Sequence, residues 1–135
     1  MKSDDTICPV CEGYYFEFNN DFDICPICGW ENDGVQRDKK DYWGGANSIS
    51  VNEAKVIYSL LQNEATKSKV SQIIDKYEQR EREIHTQYAH IDHRTSEGEK
   101  CSKAFAQAHN DFISELYKLL DNNRERSLLN FTFVW

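Results

Sequence analysis

Three stretches of the chain repeat apolar residues every three or four positions, which is the spacing of one face of an α-helix. The first stretch starts at a capping box made by Ser50 and Glu53 and is predicted to end near Asn63. The second and third stretches flank a polar break at residues 92–99, which predicts an antiparallel pair of helices. The apolar positions of the three stretches are, in order, Val51, Ala54, Ile57, Tyr58 and Leu61; Val70, Ile73, Ile74, Tyr77, Ile84, Tyr88 and Ile91; and Phe105, Ala108, Phe112, Leu116, Leu119 and Leu120.

Two other segments have patterns typical of β-strands. The aromatic run "YYFEF" at 14–18, the turn-forming residues 19–21 and the short "FDI" at 22–24 predict a β-hairpin. At the end of the chain, apolar and polar residues alternate over 129–135, which predicts a terminal strand. We expect this strand to pair with the hairpin and so to join the two halves of the chain.

Four of the five cysteines form a C-x2-C-x13-C-x2-C pattern, in two pairs that the predicted hairpin joins. A two-residue gap lets one tight turn direct two thiolates at one ion, and four thiolates complete the tetrahedral shell of a structural zinc ion. The alternatives are buried or disulfide-bonded cysteines and a redox role for one C-x-x-C pair. We expect the lone Cys101 to be a small buried side chain on a helix. The predicted ligands of one structural Zn²⁺ are Cys8, Cys11, Cys25 and Cys28.

These patterns together predict an α+β fold. A zinc-ribbon-like β-hairpin module with an acidic loop is expected over residues 1–48. A helical region with the C-terminal strand is expected over residues 49–135, packed as one unit with the module. The helical region would contain a short capped helix followed by an antiparallel αα-hairpin.

Charge is distributed unevenly along the chain. Residues 1–65 carry 5 Lys and Arg against 12 Asp and Glu, whereas residues 66–135 carry 11 of each, so the whole excess of −7 lies in the cysteine-bearing half. Such a surface repels phosphates and attracts basic partners. The longest apolar run is too short to span a bilayer, and the start of the chain lacks the apolar core of a signal peptide. We therefore expect a cytoplasmic protein with no membrane partner.

The segments "CPVC", "DICPICGWENDGVQ" and "DYWGGANSISVNEAKVIY" make the pattern more specific. Together they resemble the cysteine-rich CPCC family of small bacterial proteins over about residues 7–60. The chain departs from the family at Val10, where the family name implies a cysteine, and at Glu12, where a glycine is usual. The resemblance implies a zinc-binding module and, through relatives that look like immunity proteins, a role in neutralising a bacterial toxin.

The loop after the second cysteine pair carries acids and tryptophans. We predict structural roles for Trp30, as a cover of the metal site, and for Asp33, as an acceptor for backbone amides. Aromatic residues often anchor protein interfaces, and acidic residues attract basic partners. The predicted partner-binding residues are Glu31, Asp38, Asp41 and Trp43.

We therefore predict a non-enzymatic protein that binds another protein, namely an immunity protein for a basic toxin domain, most simply a nuclease. The alternative is a nucleic-acid-binding zinc ribbon, although the basic patch expected of one is missing. A third hypothesis is a ribonuclease that uses Arg80 and His85. A histidine metal site made of His90 and His93 with His85 or His109 is also conceivable, but ordinary surface or interface histidines explain these residues more simply.

Overall fold

The computed structural model describes residues 6–120, and the regular secondary structure of this range is helical. The first helix is a single short turn and the other three are amphipathic. In chain order they are α1 (Gly34–Asp38), α2 (Val51–Leu61), α3 (Lys67–Gln87) and α4 (Ser96–Tyr117). The first of them, α1, lies in a segment for which the sequence predicts only an ordered loop.

Helix α2 begins at the predicted capping box. The Ser50 hydroxyl accepts a hydrogen bond from the Glu53 backbone N–H at 3.2 Å, and the Glu53 carboxylate accepts one from the Ser50 N–H at 2.7 Å. These bonds satisfy backbone donors that the first turn of a helix leaves unpaired. The predicted start of α2 is therefore confirmed, and its end lies two residues before Asn63.

Helices α3 and α4 form the predicted antiparallel hairpin. The rings of Tyr77 and Phe112 stack with centroids 4.3 Å apart, and Arg80 pairs with Asp111 at 2.6 Å. Residue numbers rise along α3 as those of their partners fall along α4, so the helices run in opposite directions. Their apolar faces and that of α2 enclose one core cluster, whose fully buried members include Val70, Ile113 and Leu116.

The predicted α+β fold with a β-hairpin module is wrong. Within the described range the only β pairs are two isolated bridges, Ile7 with Tyr15 and Ile24 with Glu31. Each bridge closes a loop around its own cysteine pair, so the backbone of 14–18 does not pair with that of 22–24. Phe22 also has a φ of +58°, a left-handed conformation that interrupts any extended return strand.

The predicted C-terminal strand at 129–135 lies outside the described residues. Its expected partner, a hairpin edge at 14–24, is not formed. None of the helices within residues 6–120 combines the length and the apolar character that crossing a membrane requires.

Candidate metal centre

The two C-x-x-C segments adopt the same turn. The N–H of Glu12 donates to the Cys8 carbonyl at 3.0 Å, and the N–H of Gly29 donates to the Cys25 carbonyl at 2.9 Å. The residue after the second cysteine of each pair has a positive φ, +57° at Glu12 and +81° at Gly29. Glycine adopts this conformation without strain, whereas a glutamate adopts it at some cost.

These turns bring four sulfur atoms together. The Sγ atoms of Cys8 and Cys28 are 3.5 Å apart, those of Cys11 and Cys25 are 3.6 Å apart, and all four lie within 4.8 Å of one another. Zn–S bonds of about 2.3 Å place the corners of a tetrahedron about 3.8 Å apart, so the cluster has the dimensions of a four-thiolate metal site. All four cysteines are free, and the sulfurs are too far apart for disulfides.

The surroundings of the thiols differ. Burial raises the pKa of Cys11 and of Cys28, which favours the neutral thiol. Burial also raises the pKa of Cys25, but hydrogen bonds from the backbone N–H groups of Cys28 and Ile27 outweigh it and lower that pKa overall. A bound dication would stabilise all four thiolates and release their protons, so metal binding at this site should depend on pH.

Trp30 is buried next to the cysteine cluster, as predicted. Its side chain is 3% exposed and belongs to a small core with Cys8, Phe16, Cys25 and Val51. Because Val51 is the first residue of α2, this core connects the sulfur cluster to the helical part of the chain.

Gln36 organises the loop that follows the second cysteine pair. Its fully buried amide donates to the carbonyls of Tyr42, Asn47 and Ile49 at 3.1 to 3.2 Å. Its carbonyl oxygen accepts from the Asn47 backbone and side-chain N–H groups, both at 3.0 Å. One buried side chain therefore determines the path of residues 42–49, because loop carbonyls left without a partner here would be costly.

Asp33 caps α1 and binds the same loop. One carboxylate oxygen accepts from the Val35 N–H at 2.8 Å and the Gln36 N–H at 3.3 Å. The other accepts from the Ala46 N–H at 3.0 Å. A Cβ at Gly45 would lie 2.7 Å from this second oxygen, so only glycine fits there. The predicted structural role of Asp33 is confirmed.

Asn32 and Arg37 connect α1 to the first cysteine pair. The Arg37 guanidinium donates to the Ile7 carbonyl at 2.6 Å and to the Asn32 side-chain oxygen at 2.7 Å. The Asn32 amide donates in turn to the Phe18 carbonyl and the Asp21 carboxylate, both at 2.8 Å. The motif "ENDGVQR" therefore encodes a buried polar network that holds the two cysteine pairs and the loop in one arrangement.

A second polar contact joins this half of the chain to α4. Glu53 and His109 are both fully buried, and their carboxylate and imidazole groups are 2.8 Å apart. The Trp43 ring stacks on the His109 ring with centroids 4.1 Å apart and an angle of 11°. The loop, α2 and α4 therefore meet at one buried cluster, which we call the Glu53–His109–Trp43 cluster.

The four predicted partner-binding residues lie in different environments. Asp38 and Asp41 are exposed, but Lys39 and Lys40 lie between them, which cancels their charge. Glu31 is half-buried, and its backbone N–H and carbonyl both bond the Asn47 side chain. Trp43 is half-buried in the stack just described. Two of the four residues, Glu31 and Trp43, thus have structural contacts, and partner binding by the four residues stays a prediction.

The remaining candidates from the sequence are the histidines, Arg80 and Cys101. Among the described residues, the four cysteines are the only cluster of potential metal ligands, and the histidines do not join one. Arg80 pairs with Asp111, while the His85 ring contacts that of Phe105 at 4.9 Å. Cys101 is buried on α4, as predicted.

Sequence reasoning missed the burial of Gln36 and His109. A polar residue within a loop carries no periodic signal of burial, and for Gln36 the one available indication was its inclusion in the "GWENDGVQ" segment that the resemblance quotes. For His109 the available signal was its position four residues after Phe105 and three before Phe112, on the apolar face of α4.

Comparison with known proteins agrees with the cysteine and loop motifs. No curated protein and no solved structure matches the chain. The sequence model of the family described as Cysteine-rich CPCC matches residues 6–81, which extends the match beyond the loop into α3. The chain belongs to the cysteine-rich CPCC family.

Proposed function

We propose that this protein is a non-enzymatic zinc-binding protein that acts by binding a basic protein partner. In its most specific form, the proposal is an immunity protein that neutralises a bacterial toxin of the nuclease class. The observation that carries it is the concentration of exposed apolar and acidic side chains in the part of the chain that the cysteine cluster and the polar network hold together. We call this part, residues 6–48, the cysteine module.

Zinc is the proposed metal because of the donor set. Four cysteines at tetrahedral spacing match its preference and leave no coordination position open for a substrate. The residues that would hold the ion are Cys8, Cys11, Cys25 and Cys28. The ion would replace the apolar core that so short a module cannot build by itself.

The module exposes an unusual number of large apolar side chains. Within the described range, five of the seven exposed large hydrophobic residues lie between residues 15 and 27, with exposures from 39% to 65%. Contiguous exposed apolar groups often mark protein interfaces, and aromatic groups contribute much of the binding energy there. The five residues are Tyr15, Phe18, Phe22, Ile24 and Ile27.

The charge around these side chains selects the partner. Residues 3–36 contain eight Asp and Glu and no Lys or Arg. Glu12, Glu17 and Asp23 are exposed among the apolar side chains. We call the five exposed apolar residues together with Glu12, Glu17 and Asp23 the acidic-apolar surface. It would attract a basic partner by electrostatic steering and then bury apolar area against it.

Hydrogen bonds within the unbound protein fix the backbone at the acidic-apolar surface. The Phe18 carbonyl accepts from Asn32 at 2.8 Å, and the Asn20 side-chain oxygen accepts from the Gly34 N–H at 2.7 Å. A preorganised surface loses less conformational entropy on binding. The location differs from the loop predicted from the sequence, since the exposed groups precede α1.

A nuclease fits this chemistry because its substrate is a polyanion. A nuclease active site is lined with cations that contact phosphates, and an acidic protein can occupy such a site in place of nucleic acid. The family resemblance supports the toxin setting through relatives that look like immunity proteins.

The test is co-expression with the product of the adjacent gene, which the proposal expects to carry a toxin domain. We expect a complex that co-purifies, protects the host cell and weakens as salt is raised. Phe18→Ser combined with Ile24→Ser should abolish the complex, whereas the matched control Val35→Ser, at a residue 53% exposed on α1, should not. Absence of both binding and protection would refute the proposal.

The alternatives have different outcomes. A nucleic-acid-binding protein would shift DNA or RNA in gels at low salt and lose that binding as salt rises. The ribonuclease hypothesis requires activity that is lost in His85→Ala. We expect neither result from the zinc-loaded protein.

A further inference from the structure

A cavity of about 460 Å³ lies where the loop at 43–48 faces α3 and α4. Its walls include Trp43 from the loop, Tyr77, Glu81 and His85 from α3, and Phe105 from α4. We call it the aromatic cleft. It is separate from the cysteine cluster and contains none of the residues of the acidic-apolar surface.

The aromatic walls are held in place by neighbours. Trp43 stacks on the buried His109, Tyr77 stacks on Phe112, and Phe105 contacts His85. Because these contacts fix the rings, the cleft would need little rearrangement to accept a ligand. The two glycines that follow Trp43 also line the cleft and leave space beside the indole.

The cleft contains one acidic side chain. Glu81 contributes its carboxylate, and no Lys or Arg lines the cavity. Burial raises the pKa of Glu81, and the hydrogen bond with Tyr77 and the nearby His85 only partly offset this effect. A half-buried carboxylate whose charged form is disfavoured gains from a cation placed beside it.

We propose that the aromatic cleft binds a guanidinium group. A guanidinium is flat and cationic, so it can stack on an aromatic wall of the cleft, such as Trp43 or Phe105, while its N–H groups donate to the Glu81 carboxylate. A compact ammonium would use the charge of Glu81 but could not stack on the aromatic rings. This inference does not depend on the proposed toxin-binding role.

Such a group can come from a free small molecule or from an arginine side chain of another protein. The full zinc-loaded chain should be titrated with N-acetyl-arginine N-methylamide and followed by amide and indole NMR signals. A blocked Gly-Gly-Arg-Gly-Gly peptide distinguishes the sources. If the peptide binds at least as tightly as N-acetyl-arginine N-methylamide, the natural ligand is an arginine side chain of a protein. If the peptide binds more weakly, the natural ligand is a free small molecule.

The ligand control is N-acetyl-citrulline N-methylamide, which has the same shape and no charge. We expect the arginine compound to saturate shifts of Trp43, Glu81 and Phe105, and the citrulline compound to produce none. Equal binding of the two compounds, or no saturation by the arginine compound, would overturn the proposal.

The protein control uses two glutamates of α3. Glu81→Gln should weaken the arginine compound about tenfold, the effect of a charged hydrogen bond worth about 1.4 kcal/mol. Glu83→Gln removes the same charge from the same helix outside the cleft, and should leave binding unchanged. Phe105→Leu should also weaken binding. If Glu81→Gln and Glu83→Gln bind alike, the cleft is not the site.

Discussion

The cysteine module and the helical hairpin are stabilised by different interactions. The module contains a single five-residue helix, and its buried residues include Asn32, Asp33, Gln36 and two cysteines. The hairpin and α2 instead bury apolar side chains at helical spacing. Regular secondary structure follows from patterned apolar burial, whereas the module depends on its cysteine cluster and on individual hydrogen bonds.

This difference predicts that the two regions can be damaged separately. Loss of a sulfur ligand should unfold the module and spare the hairpin, and a core cavity in the hairpin should spare the metal site. The Glu53–His109–Trp43 cluster limits this separation, because it joins the loop to α4.

The largest effect is expected from Cys25→Ser. The variant should lose zinc, and residues 6–48 should lose their dispersed NMR signals while α3 and α4 keep their helical signal. Structural zinc contributes about 10–16 kcal/mol of apparent binding energy, more than so small a module can replace. Cys101→Ser, the buried control on α4, should retain one zinc per chain. A Cys25→Ser protein that melted like the wild type would contradict the metal assignment.

A cavity in the core of the helical hairpin should lower stability without affecting the metal site. Phe112 is 4% exposed and stacks on Tyr77, so Phe112→Ala should cost about 3–5 kcal/mol of unfolding free energy. Chemical denaturation would measure this loss, and zinc content of the folded protein should remain at one per chain. Loss of zinc together with stability would mean that the two regions are not separate.

The polar network should be sensitive to a change that preserves volume. Gln36→Met leaves three loop carbonyls without their donor, and we expect a cost of about 3 kcal/mol by denaturation. Gln62→Met at an exposed position is the matched control and should change stability by less than about 0.5 kcal/mol. Equal effects of the two substitutions would show that Gln36 is not the centre of the loop.

The smallest expected effect is an increase in stability. Glu12→Gly relieves the left-handed conformation of the first cysteine turn and should stabilise the zinc-loaded protein by about 0.5–1 kcal/mol. Glu17→Gly removes another exposed glutamate, whose φ is not positive, and should destabilise slightly. A shift of the same sign in both variants would indicate that strain at Glu12 is negligible.

The sequence predicted the parts of the structure that have a repeating signal. Apolar spacing identified α2, α3 and α4, and cysteine spacing identified the four sulfur atoms that come together. The hairpin prediction was wrong because aromatic residues at 14–18 resemble a strand. Their backbone instead pairs within its own cysteine turn, as the Cys8 N–H bond to Tyr14 at 2.7 Å shows. The burial of Gln36 depends on partners distant in sequence, which no local pattern reveals. Helical spacing places His109 on the apolar face of α4, but it does not reveal the contacts with Glu53 and Trp43.

The central claim is that four cysteines hold one zinc ion and thereby fold the module. X-ray absorption at the zinc edge of the purified protein tests it most directly. We predict one zinc per chain with four sulfur ligands at about 2.3 Å and no nitrogen or oxygen ligand. A protein that folds without metal, or a zinc shell with fewer than four sulfurs, would contradict the account.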